Sequence, residues 1–237
     1  MYIKETHSTN ALLREILRRE NLPEGFVVRT DFQTAGKGQV GNSWESEAGK
    51  NLLFSMVLFP WHIDITEQFI VSQMISLAIV KALSRFSTGF TIKWPNDIYY
   101  GDKKIAGILI ENSLQNGKIK SMVIGVGLNV NQKTFISNAP NPVSLRQVTK
   151  KHHSRKPILE DICKNMSVLY HSSDFEKIRR EYMSVLYRND GFYPFRAEGE
   201  VFDARISDIA TDGRMHLELR NGELREFYFK EVEYLVG

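Results

Sequence analysis

Lys93-Trp94-Pro95-Asn96-Asp97, continued by Ile98-Tyr99-Tyr100-Gly101-Asp102-Lys103-Lys104-Ile105-Ala106-Gly107-Ile108-Leu109-Ile110-Glu111, is the stretch on which the fold turns. It sets Lys93 and Lys104, the Asn96 amide and the Asp97 carboxylate into what otherwise reads as a buried β-hairpin. A strand facing a core seldom carries such groups unless something satisfies them. Gly101-Asp102 between apolar runs predicts a two-residue turn, since glycine accepts positive φ. That turn pairs Tyr100 with Lys103 and Tyr99 with Lys104, and alternation puts Asp97 and Lys104 on one face.

A second turn signal follows. Asn116-Gly117 lies between Leu114-Gln115 and Lys118-Ile119, and Asn-Gly is the strongest short hairpin signal. Counting back from it sets Lys104 opposite Asn129 and Ile108 opposite Gly125. Asp97, Lys104, Asn129, Gly127 and Gly125 then share one surface, with Ala106 and Ile108 beside Lys104. Ile105, Leu109, Val126, Leu128 and Val130 fall on the opposite, core face. Glycines on the polar face let a flat ring or an acyl chain approach the backbone. The plain alternative is an open sheet face with solvated charges. A single bulge would flip the register, and Pro95 is one place for it.

Two further clusters lie upstream. Gln33-Thr34-Ala35-Gly36-Lys37-Gly38-Gln39-Val40-Gly41-Asn42-Ser43-Trp44 is a glycine-rich loop whose backbone N–H groups could wrap oxyanions. It lacks the Gly-Lys-Ser/Thr run of a P-loop and the glycine spacing of a dinucleotide fold. Alone it reads equally as a surface loop, with Trp44 as an anchor or lid. His7-Ser8-Thr9-Asn10 precedes the amphipathic run Ala11-Leu12-Leu13-Arg14-Glu15-Ile16-Leu17. One of Ser8, Thr9 and Asn10 is expected to cap that helix, leaving the others at its positive end.

The remainder bounds the problem. A chain of 237 residues can bury one large and one small core, and a net charge of +3 does not call for nucleic acid. The one basic run is Lys150-Lys151-His152-His153-Ser154-Arg155-Lys156, a solvated loop or a docking site for an acidic carrier protein. A single cysteine excludes an internal disulfide and fits a reducing cytoplasm, and Cys163 sits in a helix as a core residue. The six histidines show no metal-ligand spacing. Apolar runs such as 51–59 and 70–83 are too short or too interrupted to span a bilayer, and no signal peptide is evident. Helices are expected near 9–20, 67–86, 157–171 and 174–187, strands near 26–31 and 51–59, and hairpins over 90–131. After a boundary at Arg188-Asn189-Asp190-Gly191, alternation over 201–207, 215–219 and 226–229 predicts a small antiparallel barrel.

Taken together, Ser8-Thr9-Asn10, Gln33 with Gly36-Lys37-Gly38, the Lys93–Asp97 run, Lys104 to Leu109, and Gly125-Val126-Gly127-Leu128-Asn129-Val130-Asn131 resemble the biotin protein ligase family, in order and spacing. The resemblance implies an α+β fold: a mixed β-sheet flanked by helices, similar to class II aminoacyl-tRNA synthetases, over residues 1–188, and an SH3-like β-barrel over 189–237. It implies ATP-dependent activation of biotin to biotinyl-5′-AMP, with Mg²⁺ accompanying ATP. Transfer to a lysine of a biotin carboxyl carrier domain would follow.

Carried over by position, Ser8, Thr9, Asn10 and Gln33 meet the ureido ring of biotin. Lys37, Gly38 and Gln39 fold over the biotinyl-adenylate. Lys104 is the catalytic lysine and also meets the biotin carboxylate. Trp44, Lys93, Asn96, Asp97 and Asn129, with Lys37 and Gln39, meet the ATP or adenylate, and Asp97 also meets Mg²⁺. The loop departs from many relatives: Lys37 and Gln39 stand where arginines are common, and Val40 and Asn42 are uncharged, so the adenylate is expected to be held less tightly. With the motifs starting at residue 7, the resemblance points to the monofunctional, cytoplasmic class without a DNA-binding domain, and it is compatible with a homodimer through sheet edges. Two rivals stay open. One is a lipoyl or octanoyl ligase or transferase, for which Cys163 is badly placed as an acyl acceptor. The other is a non-catalytic ligand- or nucleic-acid-binding module.

Overall fold

The computed structural model describes residues 1–39, 42–137 and 141–235. Val40 therefore lies outside the described residues. Seven strands build the main sheet: β1 (Tyr2–Thr6), β2 (Val27–Gln33), β3 (Leu52–Leu58), β4 (Phe90–Lys93), β5 (Asp97–Tyr100), β6 (Lys103–Gln115) and β7 (Lys118–Leu128). Their order is β1-β2-β3-β7-β6-β5-β4, with β1 parallel to β2 and the other pairs antiparallel.

Alternation assigns the two faces. Leu52, Phe54, Met56, Leu58, Ile124, Val126 and Leu128 point into the large core beneath α2 (Phe69–Leu83). α2 is buried nearly all round, because α4 (Arg155–Tyr170) and α5 (Phe175–Ser184) cover it from outside. The helical stretch Ile65–Leu83 is longer than the expected apolar run. By length and composition it could cross a membrane, yet 67% of its most apolar window is buried inside the fold. On the other face α1 (Thr9–Arg19) packs Leu13 against Val28, Val57 and Val123. A short helix, α3 (Leu145–Thr149), opens with a capping box in which Ser144 and Gln147 bond reciprocally.

The central hairpin pairs Tyr100 with Lys103 and Tyr99 with Lys104, as the Gly101-Asp102 turn predicts. Three details differ from the sequence reading. First, Trp94–Asn96 is a turn rather than strand, with a cis Trp94–Pro95 bond, so Lys93 and Asp97 face each other across β4 and β5. Second, a bulge between Ile98 and Tyr99 leaves Ile105 unpaired and re-phases β6 beyond Lys104. Third, the count from Asn116-Gly117 holds only as far as Leu114 opposite Ile119. A bulge beyond it makes Leu109, not Ile108, the partner of Gly125. Gly107 and Leu109 thus share the face of Lys104, and Ala106 and Ile108 turn into the core.

The tail forms a second, five-stranded antiparallel sheet: β8 (Tyr193–Ala197), β9 (Glu200–Ile209), β10 (Met215–Leu219), β11 (Leu224–Phe227) and β12 (Glu233–Tyr234), ordered β11-β10-β9-β8-β12. β11 ends before Tyr228 and Phe229, which fall outside the strand expected at 226–229. This unit is fastened to the main sheet. Trp94 Nε1 donates to the Gly213 carbonyl at 2.9 Å, its ring lies 6.2 Å from that of Phe229, and Arg188 donates to the Leu235 carbonyl. The basic run is partly structural: Arg155 pairs with Asp31 at 3.0 Å, and the His153 N–H donates to Asn131.

Candidate functional site

A cleft of about 880 Å³ opens on the α1 face of the main sheet. Its floor is a row of residues paired across four strands: Lys93, Asp97, Gly107 and Gly127. The next row places Leu109, Gly125 and Ser55 side by side. The glycines are there because other side chains occupy their Cβ positions. A Cβ on Gly125 would lie 2.3 Å from Asn10 Oδ1, and one on Gly127 would lie 2.4 Å from Trp44 Cε2.

One end of the cleft is neutral and hydrogen-bonded. Ser8 occupies the N-cap of α1 in extended conformation but makes no side-chain capping bond. The Thr9 N–H donates to Gln33 Oε1 at 2.7 Å, and the Thr9 hydroxyl lies 3.1 Å from the same oxygen. Ser55 Oγ lies 2.7 Å from Thr9 Oγ1 and 2.6 Å from Asn10 Oδ1. Asn10 Nδ2 donates to Glu111 at 2.8 Å and to the Leu109 carbonyl at 3.3 Å. Ser8, Thr9, Asn10 and Ser55 are all buried.

The middle is charged. Lys104 Nζ lies 2.7 Å from Asp97 Oδ2, each side chain a little under a third exposed, and 5.8 Å from the centre of the Trp44 ring. Lys93 stands between the rings of Tyr99 and Tyr234, its Nζ 5.0 Å from each centre and 3.3 Å from the Tyr99 hydroxyl. Burial pushes the Lys93 ammonium below its ordinary value, against the opposing pull of Asp97.

The glycine-rich loop closes one side. Gln39 Nε2 donates to Asn96 Oδ1 at 2.8 Å, and Asn96 Nδ2 donates to the Ile108 carbonyl at 2.5 Å. Lys37, Gly38 and Asn42 line the cleft beside it. Glu45 accepts from the N–H groups of Ile136 and Ser137 and from Gln132 Nε2, so it staples a second loop beside Trp44. Three buried polar atoms on the walls have no hydrogen-bond partner among the described residues: Gln39 Oε1, Trp44 Nε1 and Asn129 Oδ1. Other such atoms lie elsewhere in the fold, Gln73 Oε1 and Ser76 Oγ among them, but these three share one cleft, where a polar ligand would complete their bonding.

The residues singled out from sequence therefore come together: Ser8, Thr9, Asn10, Gln33, Lys37, Gly38, Gln39, Trp44, Lys93, Asn96, Asp97, Lys104 and Asn129 all line this cleft. Sequence reasoning missed Ser55, which the apolar run of β3 disguises, and Glu111, which stands behind Asn10. It also missed Phe229, Lys230 and Val232, between β11 and β12, and Tyr234 of β12, which line the far end. Cys163 is away from the cleft, in α4, and burial pushes its thiol up.

Residues 2–129, more than half of the chain, match the model of the biotin/lipoate A/B protein ligase family. The chain belongs to that family. Curated relatives agree. The bifunctional ligase/repressor BirA of Bacillus spizizenii is 31% identical over 92% of this chain and 68% of its own length. The protein of the same name from Escherichia coli is 34% identical over 52% of this chain and 38% of its own. Among solved structures, the biotin protein ligase of Aquifex aeolicus in complex with biotin and ATP superposes with a TM-score of 0.80 at 24% identity, covering 99% of this chain and 98% of that one. The two-sheet architecture is thus that of a biotin protein ligase structure, and as a family member the chain has its matched residues on β1 through β7, α1 and α2.

Proposed function

We propose that the chain is a biotin–protein ligase, an ATP-dependent enzyme that activates biotin to biotinyl-5′-AMP and passes the biotin to a lysine of a biotin carboxyl carrier domain. The observation that carries this reading is the position of Lys104. Its ammonium faces the cleft between the neutral, hydrogen-bonding end at Thr9, Asn10 and Gln33 and the wall holding Asn96, Asp97 and Lys93.

The chemistry needs that order. Biotin has a ring that both donates and accepts hydrogen bonds, an apolar chain and a terminal carboxylate. The ring suits the neutral end, the chain runs from it past Leu109 and along the Trp44 ring that covers Gly107 and Gly127, and the carboxylate reaches Lys104. The carboxylate oxygen attacks the α-phosphorus of ATP, an O–P bond forms, and pyrophosphate leaves. Two anions must meet in that step, and a fixed ammonium offsets their repulsion. The acceptor lysine amine then attacks the carbonyl carbon, forming an amide and releasing AMP. Trp44 and the Gln39 loop cover the anhydride from water.

Mg²⁺ accompanies ATP. The donor set fits an ion carried largely by phosphates, which needs one or two protein carboxylates. Asp97 is the carboxylate beside Lys104, and the ion supplies charge screening at the phosphates. In this reading Ser8, Thr9, Asn10 and Gln33 meet biotin, and Lys37, Gln39, Trp44, Lys93, Asn96 and Asn129 meet the adenylate. Residues 1–188 form the catalytic unit and 189–237 a barrel that closes the far end. The enzyme acts in the cytoplasm. Homodimerisation would use a sheet edge such as β1, which pairs on one side only.

Biotin-dependent exchange of labelled pyrophosphate into ATP tests the first step, and transfer to a purified carrier domain tests the second. Exchange that depends on lipoate instead would move the chain to the lipoate branch of the family. No exchange with either acid would leave a binding module.

A further inference from the structure

Glu111 lies outside the cleft, on the same face of β6 as Gly107 and Leu109. One carboxylate oxygen pairs with Arg14 at 2.6 Å, and the other accepts from Asn10 Nδ2 at 2.8 Å. We propose that Glu111 is a positioning residue that sets the direction of a hydrogen-bond chain through Asn10, Ser55 and Thr9, making this end of the cleft an acceptor-lined pocket selective for a ligand head with N–H donors. The proposal rests on the reading that Asn10 and Thr9 meet the biotin ring.

The argument is proton bookkeeping. A carboxylate only accepts, and so does the Leu109 carbonyl, 3.3 Å from Asn10 Nδ2. Both therefore demand the nitrogen side of the Asn10 amide, which turns Oδ1 inward. There Oδ1 meets Ser55 Oγ at 2.6 Å and draws its single proton. Ser55 Oγ also lies 2.7 Å from Thr9 Oγ1, whose hydroxyl donates to Gln33 Oε1 at 3.1 Å. Gln33 Oε1 is already held by the Thr9 N–H at 2.7 Å. The Asn10 amide protons thus point toward Glu111 and the Ser55 hydroxyl toward Asn10, and Asn10 Oδ1 and Thr9 Oγ1, whose residues line the cleft, keep acceptor lone pairs. A ring carrying N–H groups uses that acceptor capacity, whereas a ring without donors leaves it unused. Asn10, Ser55 and Thr9 are at most 5% exposed, so water cannot substitute freely. Without the carboxylate, an amide flip would present N–H₂ to the pocket and invert its preference.

Glu111→Gln tests this. The change is isosteric at a side chain about a third exposed, so the fold survives, but its amide can donate as well as accept. The expected result is a rise in KM for biotin of about tenfold, with kcat at saturating biotin and KM for ATP within about twofold, in the pyrophosphate-exchange assay. The preference for biotin over lipoate, whose ring has no N–H, should narrow by a similar factor. Ser55→Ala, which cuts the chain at its second link, should move the same readouts in the same direction. Asn10→Ala separates the two ideas. If it leaves KM for biotin unchanged, the ring does not bind there and the underlying reading fails. If it raises KM while Glu111→Gln does not, the positioning role is overturned. It is overturned equally if Glu111→Gln changes kcat and KM for ATP as much as KM for biotin, since that is the mark of a general structural defect.

Discussion

Trp44 lies across Gly127, so closely that a Cβ on that glycine would come within 2.4 Å of Trp44 Cε2. The same ring bars Gly107, where a Cβ would meet it at 2.9 Å, and it stands over Lys104. One indole thus ties the glycine-rich loop to the floor of the cleft. Gly127→Ala must displace it. Adenylate formation should fall by about tenfold or more, since a small misplacement near the reacting atoms is costly, and the tryptophan emission should shift. Unchanged emission and rate would mean that the ring yields without consequence.

Lys104→Ala removes the fixed cation beside Asp97. Biotin-dependent pyrophosphate exchange should drop by roughly 10²-fold or more, the scale for losing one preorganised charge. Near-normal exchange would remove Lys104 from the catalytic role.

Gln39 reaches Asn96 through a neutral hydrogen bond, and its Oε1 has no partner among the described residues. An arginine there could pair with an anionic intermediate. Gln39→Arg should therefore slow release of biotinyl-AMP, read as the off-rate of the labelled adenylate. An equal or faster off-rate counts against weak retention by the native loop.

Trp94 is buried, and its indole N–H is bonded to the Gly213 carbonyl across the two sheets. Trp94→Phe keeps most of the packing and deletes the donor, leaving a carbonyl short of a partner at a cost of about 1–3 kcal/mol. For a chain of this length that lowers Tm by roughly 2–4 °C per kcal/mol. A Tm equal to wild type would mean that the bond contributes nothing.

Lys93 is held below its ordinary value by burial. Well below its folded-state value it is charged in both states, and the cost of burial is fully present. Between that value and the ordinary one, the unfolded chain binds more protons, so stability rises with pH. Wild type should gain stability relative to Lys93→Met as pH climbs toward the ordinary lysine value of about 10. Parallel denaturation midpoints across that range would contradict the shift.

Much of this was legible in sequence because it depends on local chemistry. Gly101-Asp102 and Asn116-Gly117 mark their turns whatever surrounds them, and the apolar period of residues 175–182 marks α5. What escaped was whatever local pattern could not carry. Ser55 sits in the wholly buried strand β3, where it reads as a tolerated small residue. β1 and β8 were overlooked: the polar, exposed β1 has no alternating apolar signal, and Pro194 interrupts β8.

Residue types and their spacing by themselves determined the hairpin pairing of Tyr99 with Lys104, the shared face of Lys104 and Asp97, and the gathering of one polar cluster around Lys104. Those follow from turn chemistry and a period of two, which act within a few residues. The tertiary structure alone decided the phase of β6 against β7. Two bulges, each one residue long, move Leu109 to the ligand face and Ile108 to the core, and nothing in the local pattern marks a bulge until helices cover one side of the sheet. It also decided that Glu111 and Ser55 meet Asn10, and that the second sheet closes the cleft, because those contacts join residues far apart in the chain.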